Sequence, residues 1–257
     1  VSASPHVRSP ETTTGIMLDV IISLIPALAA SVWLFGPRTL LVTATTVLSC
    51  MLSEFFSRKI MKRQGTLGDL SAIVTGILLA FNLPATIPLW VAAIGSVVAI
   101  VVVKQFFGGI GQNFVNPALV GRIVLMASFP TMMSTWVQPF AWRGVQVVTT
   151  ASPLASISSM FTAGDVSAAA TASNPALPSL WQMLIGQRQG SLGEVCALAL
   201  LLGFAYLLIR RVITPVIPLT YIGTVAVIML IAGKGSLSFV AYEILGGGLL
   251  LGAIFMA

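Results

Sequence analysis

The sequence predicts an all-α, polytopic membrane protein, and three observations carry that expectation. Hydrophobic residues make up 57% of 257 positions and charged residues only 8%, where a soluble domain carries about 25% charge. Mean hydropathy is +1.01. Apolar runs of the order needed to cross a hydrocarbon core, about 20 residues as a helix, recur along the whole chain and are continuous. A closed barrel, the other structure able to span a bilayer, would show short alternating segments instead.

The elements follow in order, each bounded by its own punctuation. A polar N-terminus, which does not read as a cleaved signal peptide because no small-residue cleavage site follows the first apolar run, leads into a first span expected over residues 16–35. Gly36-Pro37-Arg38 turns it into a second over 40–56, which ends in the densest basic cluster, Arg58-Lys59-Ile60-Met61-Lys62-Arg63. A shorter third run, 70–83, stops at Asn82-Leu83-Pro84, and a fourth covers 87–106. The glycine-rich connection 108–113 precedes a short fifth run, 117–129. Residues 130–190 form a long loop rich in Pro, Ser, Thr, Ala and Gln. The sixth, seventh and eighth spans are expected at 192–209, 215–232 and from 237 to the last residue.

Charge sets the orientation. With the 58–63 cluster cytoplasmic, the N-terminus is cytoplasmic too; nine of the thirteen basic residues then fall inside and four (38, 143, 188, 234) outside, as the positive-inside rule requires. The loop 130–190 is then extracytoplasmic. The basic balance, with pI near 9.9, serves orientation and not nucleic acid, because the Lys and Arg residues form no basic aromatic patch. Cys50 and Cys196 lie in apolar runs without CxxC spacing and read as buried thiols.

An internal similarity joins Thr75-Gly76-Ile77-Leu78-Leu79-Ala80 to Gly247-Gly248-Leu249-Leu250-Leu251-Gly252. It is the pattern expected of two inverted five-helix repeats, in which short glycine- or proline-broken helices meet near the midplane. On that expectation the last two helices lie beyond Ala257. The alternative is a chance alignment of small residues in two membrane helices.

Several stretches resemble one family, the D subunit of Rnf-type ion-translocating electron-transport complexes and the related B subunit of sodium-translocating NADH:quinone reductases. They are SPHVRS with TTTGIMLDVIISLIPA, GDLSAIVTGILLAFNLP, GGIGQNFVNPALVGRIVLMASFP with TMMSTW, TTASPLA, and GGGLLLGAIFMA, in family order along the whole chain. The resemblance implies a flavoprotein subunit of a redox-driven translocase that passes electrons through FMN, covalently held by a phosphoester, and couples this to sodium or proton translocation. The acceptor position falls on Ser152, where the family usually has threonine, between Thr149-Thr150-Ala151 and Pro153-Leu154; Thr150 and then Thr149 are the next candidates. Gln146 replaces an upstream acidic residue. A phosphoester needs an accessible hydroxyl among small neighbours, and an ordinary hydroxyl-rich turn before Pro153 is the plainer reading of the same residues.

The resemblance further implies a prokaryotic cytoplasmic membrane, a flavin transferase, and partner subunits bearing flavin and iron–sulfur centres, since this chain has neither a dinucleotide fingerprint nor clustered cysteines. A second, non-covalent flavin belongs to the same expectation. Among ionisable residues inside the spans, Asp19, Glu54 and Glu243 are the candidates for an ion path. The plainer reading puts Asp19 and Glu54 at the interface, solvated or paired with Arg58 or Lys59. Asn113, Asn116 and Pro117 could cap a helix or offer its N-terminus to an ion or a flavin phosphate. Glu194 reads as a complement to the N-terminus of the sixth span, the five tryptophans as an interfacial belt, and the lone His6 as neither haem ligand nor relay. The rival from another class is an inverted-repeat secondary transporter or channel with no redox role.

Overall fold

The computed structural model describes residues 12–144, 178–233 and 235–256. These residues fold into helices, with no strand among them, so the all-α membrane expectation is met. The long first pair comes from simple local rules. Thr12 caps α1 (Thr13–Phe35) by accepting the Gly15 N–H at 3.1 Å. Gly36, at φ 82°, ends it; a Cβ there would lie 2.7 Å from the Trp142 ring as well as demanding a left-handed backbone. The helix α2 (Arg38–Ile60) follows at once. These two are long and apolar enough to cross a bilayer.

The next helices are shorter and more deeply placed. On α3 (Ser71–Phe81) every residue except Ile73 is buried, the mark of a helix enclosed by protein on all sides. It lies against α2 at close range, since a Cβ on Gly76 would come 2.6 Å from the Val47 backbone. The fourth element, α4 (Leu89–Val97), runs without a break into a π-helical stretch, Val98–Gln105. Then α5 (Pro117–Ser128) begins on Asn116, whose side chain accepts the Ala118 N–H at 3.0 Å with Pro117 in the first turn. Its Gly121 sits on the Gly95 carbonyl of α4.

The ends of the expected outer loop contain α6 (Pro130–Met133), a 3₁₀ turn (Ala141–Arg143) and α7 (Leu180–Ile185), the last opened by a reciprocal Ser179–Gln182 capping box. The remaining helices are α8 (Ala197–Ile209), α9 (Val216–Ala232), α10 (Leu237–Gly246) and α11 (Leu249–Phe255). One apolar core joins Leu24 and Leu34 of α1, Val42 of α2, Leu79 of α3, Leu125 of α5, Leu200 of α8 and Leu251 of α11. Helix α9 lies at its edge, touching it through the partly buried Ile222, with Pro218 its one buried residue.

Two expected spans are corrected. The sixth does not start at residue 192: Leu192 to Cys196 is non-helical, and the helix begins at Ala197. Residues 188–195 are nonetheless buried, because their backbone adds to the frayed end of α3. Leu192 N–H donates to the Leu83 carbonyl and Gly193 N–H to the Phe81 carbonyl, both at 3.0 Å, and the Ser31 hydroxyl donates to the Leu192 carbonyl. Irregular backbone at this depth is tolerated where protein satisfies it. The eighth span is likewise not continuous, since α10 and α11 are bent 64° apart at Gly247-Gly248. The repeated six residues therefore sit inside α3 in one case and across this bend in the other.

Candidate functional site

Buried charge is the site's raw material, and it collects in two places within the core. The first is built by α2, α3 and the π-helical stretch. Glu54 is 0% and Lys104 2% exposed, with Nζ 2.7 Å from Oε2. Lys104 also donates to the Ser71 hydroxyl; Ser71 in turn donates to Asp69, and Thr66 donates to the second Glu54 oxygen. Each charge thus has a counter-charge and hydrogen bonds, the condition under which burial of ions is sustained. The i→i+5 bonds of the wide turn, such as Phe106 N–H to the Val101 carbonyl at 3.1 Å, bring Lys104 inward from an otherwise apolar helix. Stretches of π-helix concentrate at functional sites.

This overturns one expectation. Glu54 is neither solvated nor paired with Arg58 or Lys59; it is buried, and its partner is Lys104. Hydropathy gave one usable sign of it, since Lys104 has Val101-Val102-Val103 before it and Phe106-Phe107 close behind. Gln105, fully buried, has both amide atoms without a hydrogen-bond partner in the protein.

The second cluster lies where the end of α3, the irregular segment and the α10–α11 bend meet. Arg122 of α5 donates to the Asn82 side chain at 2.7 Å and stands 4.0 Å from Glu194. Arg188, 3% exposed, donates to the carbonyls of Gly246 (2.7 Å) and Glu194 (2.6 Å). The carboxylate of Glu194 accepts the Ser191 N–H at 3.1 Å, and Gly190 and Gly248 leave the room it occupies. Glu194 is therefore a core residue of an irregular segment, not the complement of a helix N-terminus. Arg188 is likewise no loop cation. Neither was legible, because hydropathy averages a lone charge into its apolar neighbours.

Asp19 is held differently. It accepts from the Tyr206 hydroxyl at 2.8 Å and from Arg210 at 3.2 Å, which fastens α1 to the end of α8. Arg210, not Arg58 or Lys59, is its cationic partner. Glu243 on α10 is half-buried and forms no ion pair among the described residues. The three ion-path candidates thus have separate surroundings and do not form one site. No cluster of His, Cys, Asp and Glu fit for a metal occurs among the described residues. Cys50 and Cys196 are free thiols, the first buried and the second partly so. Asn116 caps α5 as described, while the Asn113 side-chain oxygen is buried without a partner. Ser152, Thr150 and Thr149, with Gln146 and His6, lie outside the described residues.

An all-helical chain whose apolar helices enclose paired charges, with irregular backbone sealed between helix ends, is a polytopic integral membrane protein. Comparison with known proteins specifies which kind: the chain belongs to the NQR2, RnfD, RnfE family, which it matches over residues 1–257. It is 43% identical over 258 residues to the D subunit of the Na(+)-translocating ferredoxin:NAD(+) oxidoreductase complex of Acetobacterium woodii, covering 100% of this chain and 76% of that protein. The D subunit of the proton-translocating ferredoxin:NAD(+) oxidoreductase complex of Clostridium ljungdahlii is 38% identical, with 100% and 77% covered. The D subunit of an ion-translocating oxidoreductase complex of Halorhodospira halophila is 34% identical, with 99% and 77% covered.

Proposed function

We propose that this chain is the membrane subunit of a redox-driven cation pump of the ferredoxin:NAD oxidoreductase type, coupling electron transfer to sodium or proton translocation. The observation that carries the reading is identity of 43% and 38% across the whole chain with subunits bearing that name. One relative is named for sodium and the other for protons, so the reading spans both ions. The chain works in a complex in the prokaryotic cytoplasmic membrane, with its N-terminus cytoplasmic and the 130–190 segment outside. Other subunits supply the nicotinamide and iron–sulfur sites.

In this reading FMN is joined by a phosphoester to Ser152, with Thr150 and Thr149 as the next acceptors, and a flavin transferase installs it. Bound flavin supplies the redox chemistry, and the protein supplies its position and surroundings. A second, non-covalent flavin belongs to the same proposal. Of the three ion-path candidates, the geometry supports Glu54 best: its carboxylate is enclosed, and its hold on Lys104 is the kind of buried pairing that marks ion pathways in membranes.

The test is mass spectrometry of the denatured protein, produced with its flavin transferase, beside in-gel flavin fluorescence, for the parent and Ser152→Ala. The expected result is an FMN adduct on Ser152 that the variant loses. An adduct that survives moves the attachment to Thr150 or Thr149. A colourless protein with no adduct sinks the redox reading in favour of an inverted-repeat transporter.

A further inference from the structure

Beside the Glu54 cluster, and outside the chemistry proposed above, a cavity of about 450 Å³ opens at the C-terminal end of α2. Its wall carries three cations, Arg58, Lys59 and Arg63, together with Phe55, Leu67 and the turn from Gly65 to Gly68. Glu54 is the only acid in the wall, and Lys104 already neutralises it at 2.7 Å. Asp69 is near in sequence, but its carboxylate accepts from the Ser71 N–H and hydroxyl. The partial negative charge of the α2 C-terminus, about half an elementary charge, is small against three full positive charges.

Two further observations give the cavity a ligand. The Nε atom of Arg58 is buried without a hydrogen-bond partner, a donor left over in a basic pocket. Arg63 is anchored by a bond to the Gln105 carbonyl at 3.2 Å. The surroundings are those of a membrane surface: Phe55, Phe56 and Ile60 are 46%, 55% and 79% exposed, so apolar surface lies directly beside the charges. Basic pockets between membrane helices hold anionic headgroups, and guanidinium groups match phosphate oxygens.

We propose that the Arg58–Lys59–Arg63 pocket binds the phosphate headgroup of an anionic phospholipid, whose acyl chains lie along the exposed aromatic and aliphatic side chains at the end of α2. The lipid supplies the negative charge that the wall lacks, at a cavity that touches Glu54.

The experiment is native mass spectrometry of the purified, delipidated complex titrated with phosphatidylglycerol, phosphatidylcholine or inorganic phosphate. Phosphatidylglycerol is expected to occupy a site on this subunit at least tenfold more readily than phosphatidylcholine. Lys59→Gln/Arg63→Gln, two exposed side chains, should lower that occupancy tenfold with thermal stability retained, and adding Arg58→Gln should abolish it. Lys62→Gln, which removes a positive charge from the same cluster but outside the wall, should leave it unchanged. Equal binding of the two lipids, or the same loss with Lys62→Gln as with the double variant, overturns the proposal. So does displacement of the lipid by micromolar inorganic phosphate, or a cross-link from Lys59 to an acidic segment of a neighbouring subunit in place of lipid.

Discussion

Glu54 and Asp19 are both single carboxylates on long apolar helices, and both are ion-paired, yet they are different objects. Glu54 is fully enclosed and its lysine is 2% exposed; Asp19 is bound by an arginine that is 57% exposed. The first pair is out of contact with bulk solvent, and the second is open to it through its arginine. The difference teaches that the depth of the cation, more than the length of the ion pair, decides how much rests on it.

The sharpest way to break the comparison is Lys104→Met. It leaves Glu54 as an uncompensated buried charge, so a loss of about 3–5 kcal/mol is expected, read as a fall in thermal stability of the purified protein. Lys104→Met with Glu54→Gln should recover much of it; a double variant as unstable as the single one would show that the pair is not the source.

Next comes the packing that brings Glu54 and Ser71 together. Gly76→Val drives a side chain into the Val47 backbone, for which a loss of about 1–3 kcal/mol is expected, and a neutral result would mean that α2 and α3 separate readily. Ser71→Ala removes one acceptor from Lys104, a bond to a charged group worth about 1.5–3 kcal/mol, offset where a water takes its place. The smallest effect belongs to Asp19→Asn, within about 1 kcal/mol as for exposed pairs. Ion transport should survive Asp19→Asn and fail with Glu54→Gln; the opposite pattern in sodium or proton uptake by vesicles would reverse the roles assigned to the two residues.

What could be read from the sequence follows the same divide. The C-terminal end of α1 and the start of α5 were legible because Gly36 and Asn116-Pro117 act locally, whereas the first turn of α1, capped by Thr12, begins before the apolar run. The start of α8 was not legible. Leu192 and Val195 are apolar because they are buried, but they are buried in an irregular segment whose Leu192 and Gly193 N–H groups donate to the carbonyls of Leu83 and Phe81, a relation across more than a hundred residues that hydropathy does not contain. The pairing of Lys104 with Glu54 was not legible, because the count of basic residues says on which side a charge falls and not whether the helix turns it inward. Arg188 and Glu194, six residues apart, failed for the same reason. The hydroxyls at 149, 150 and 152 rest on the resemblance alone.

The π-helical stretch between Val98 and Gln105 has a consequence at the level of the gene. A π turn holds one more residue than the α turn it replaces, so the stretch carries a residue that an α-helix of the same direction would not need. Removing a single codon from Val98 to Val103 would close the wide turn to α pitch and leave the residues beyond it, Lys104 among them, pointing as before. A one-residue insertion, which has no further turn to take it up, would swing Lys104 away from Glu54 by about 100°. A deletion should therefore be less damaging than Lys104→Met, and an insertion as damaging.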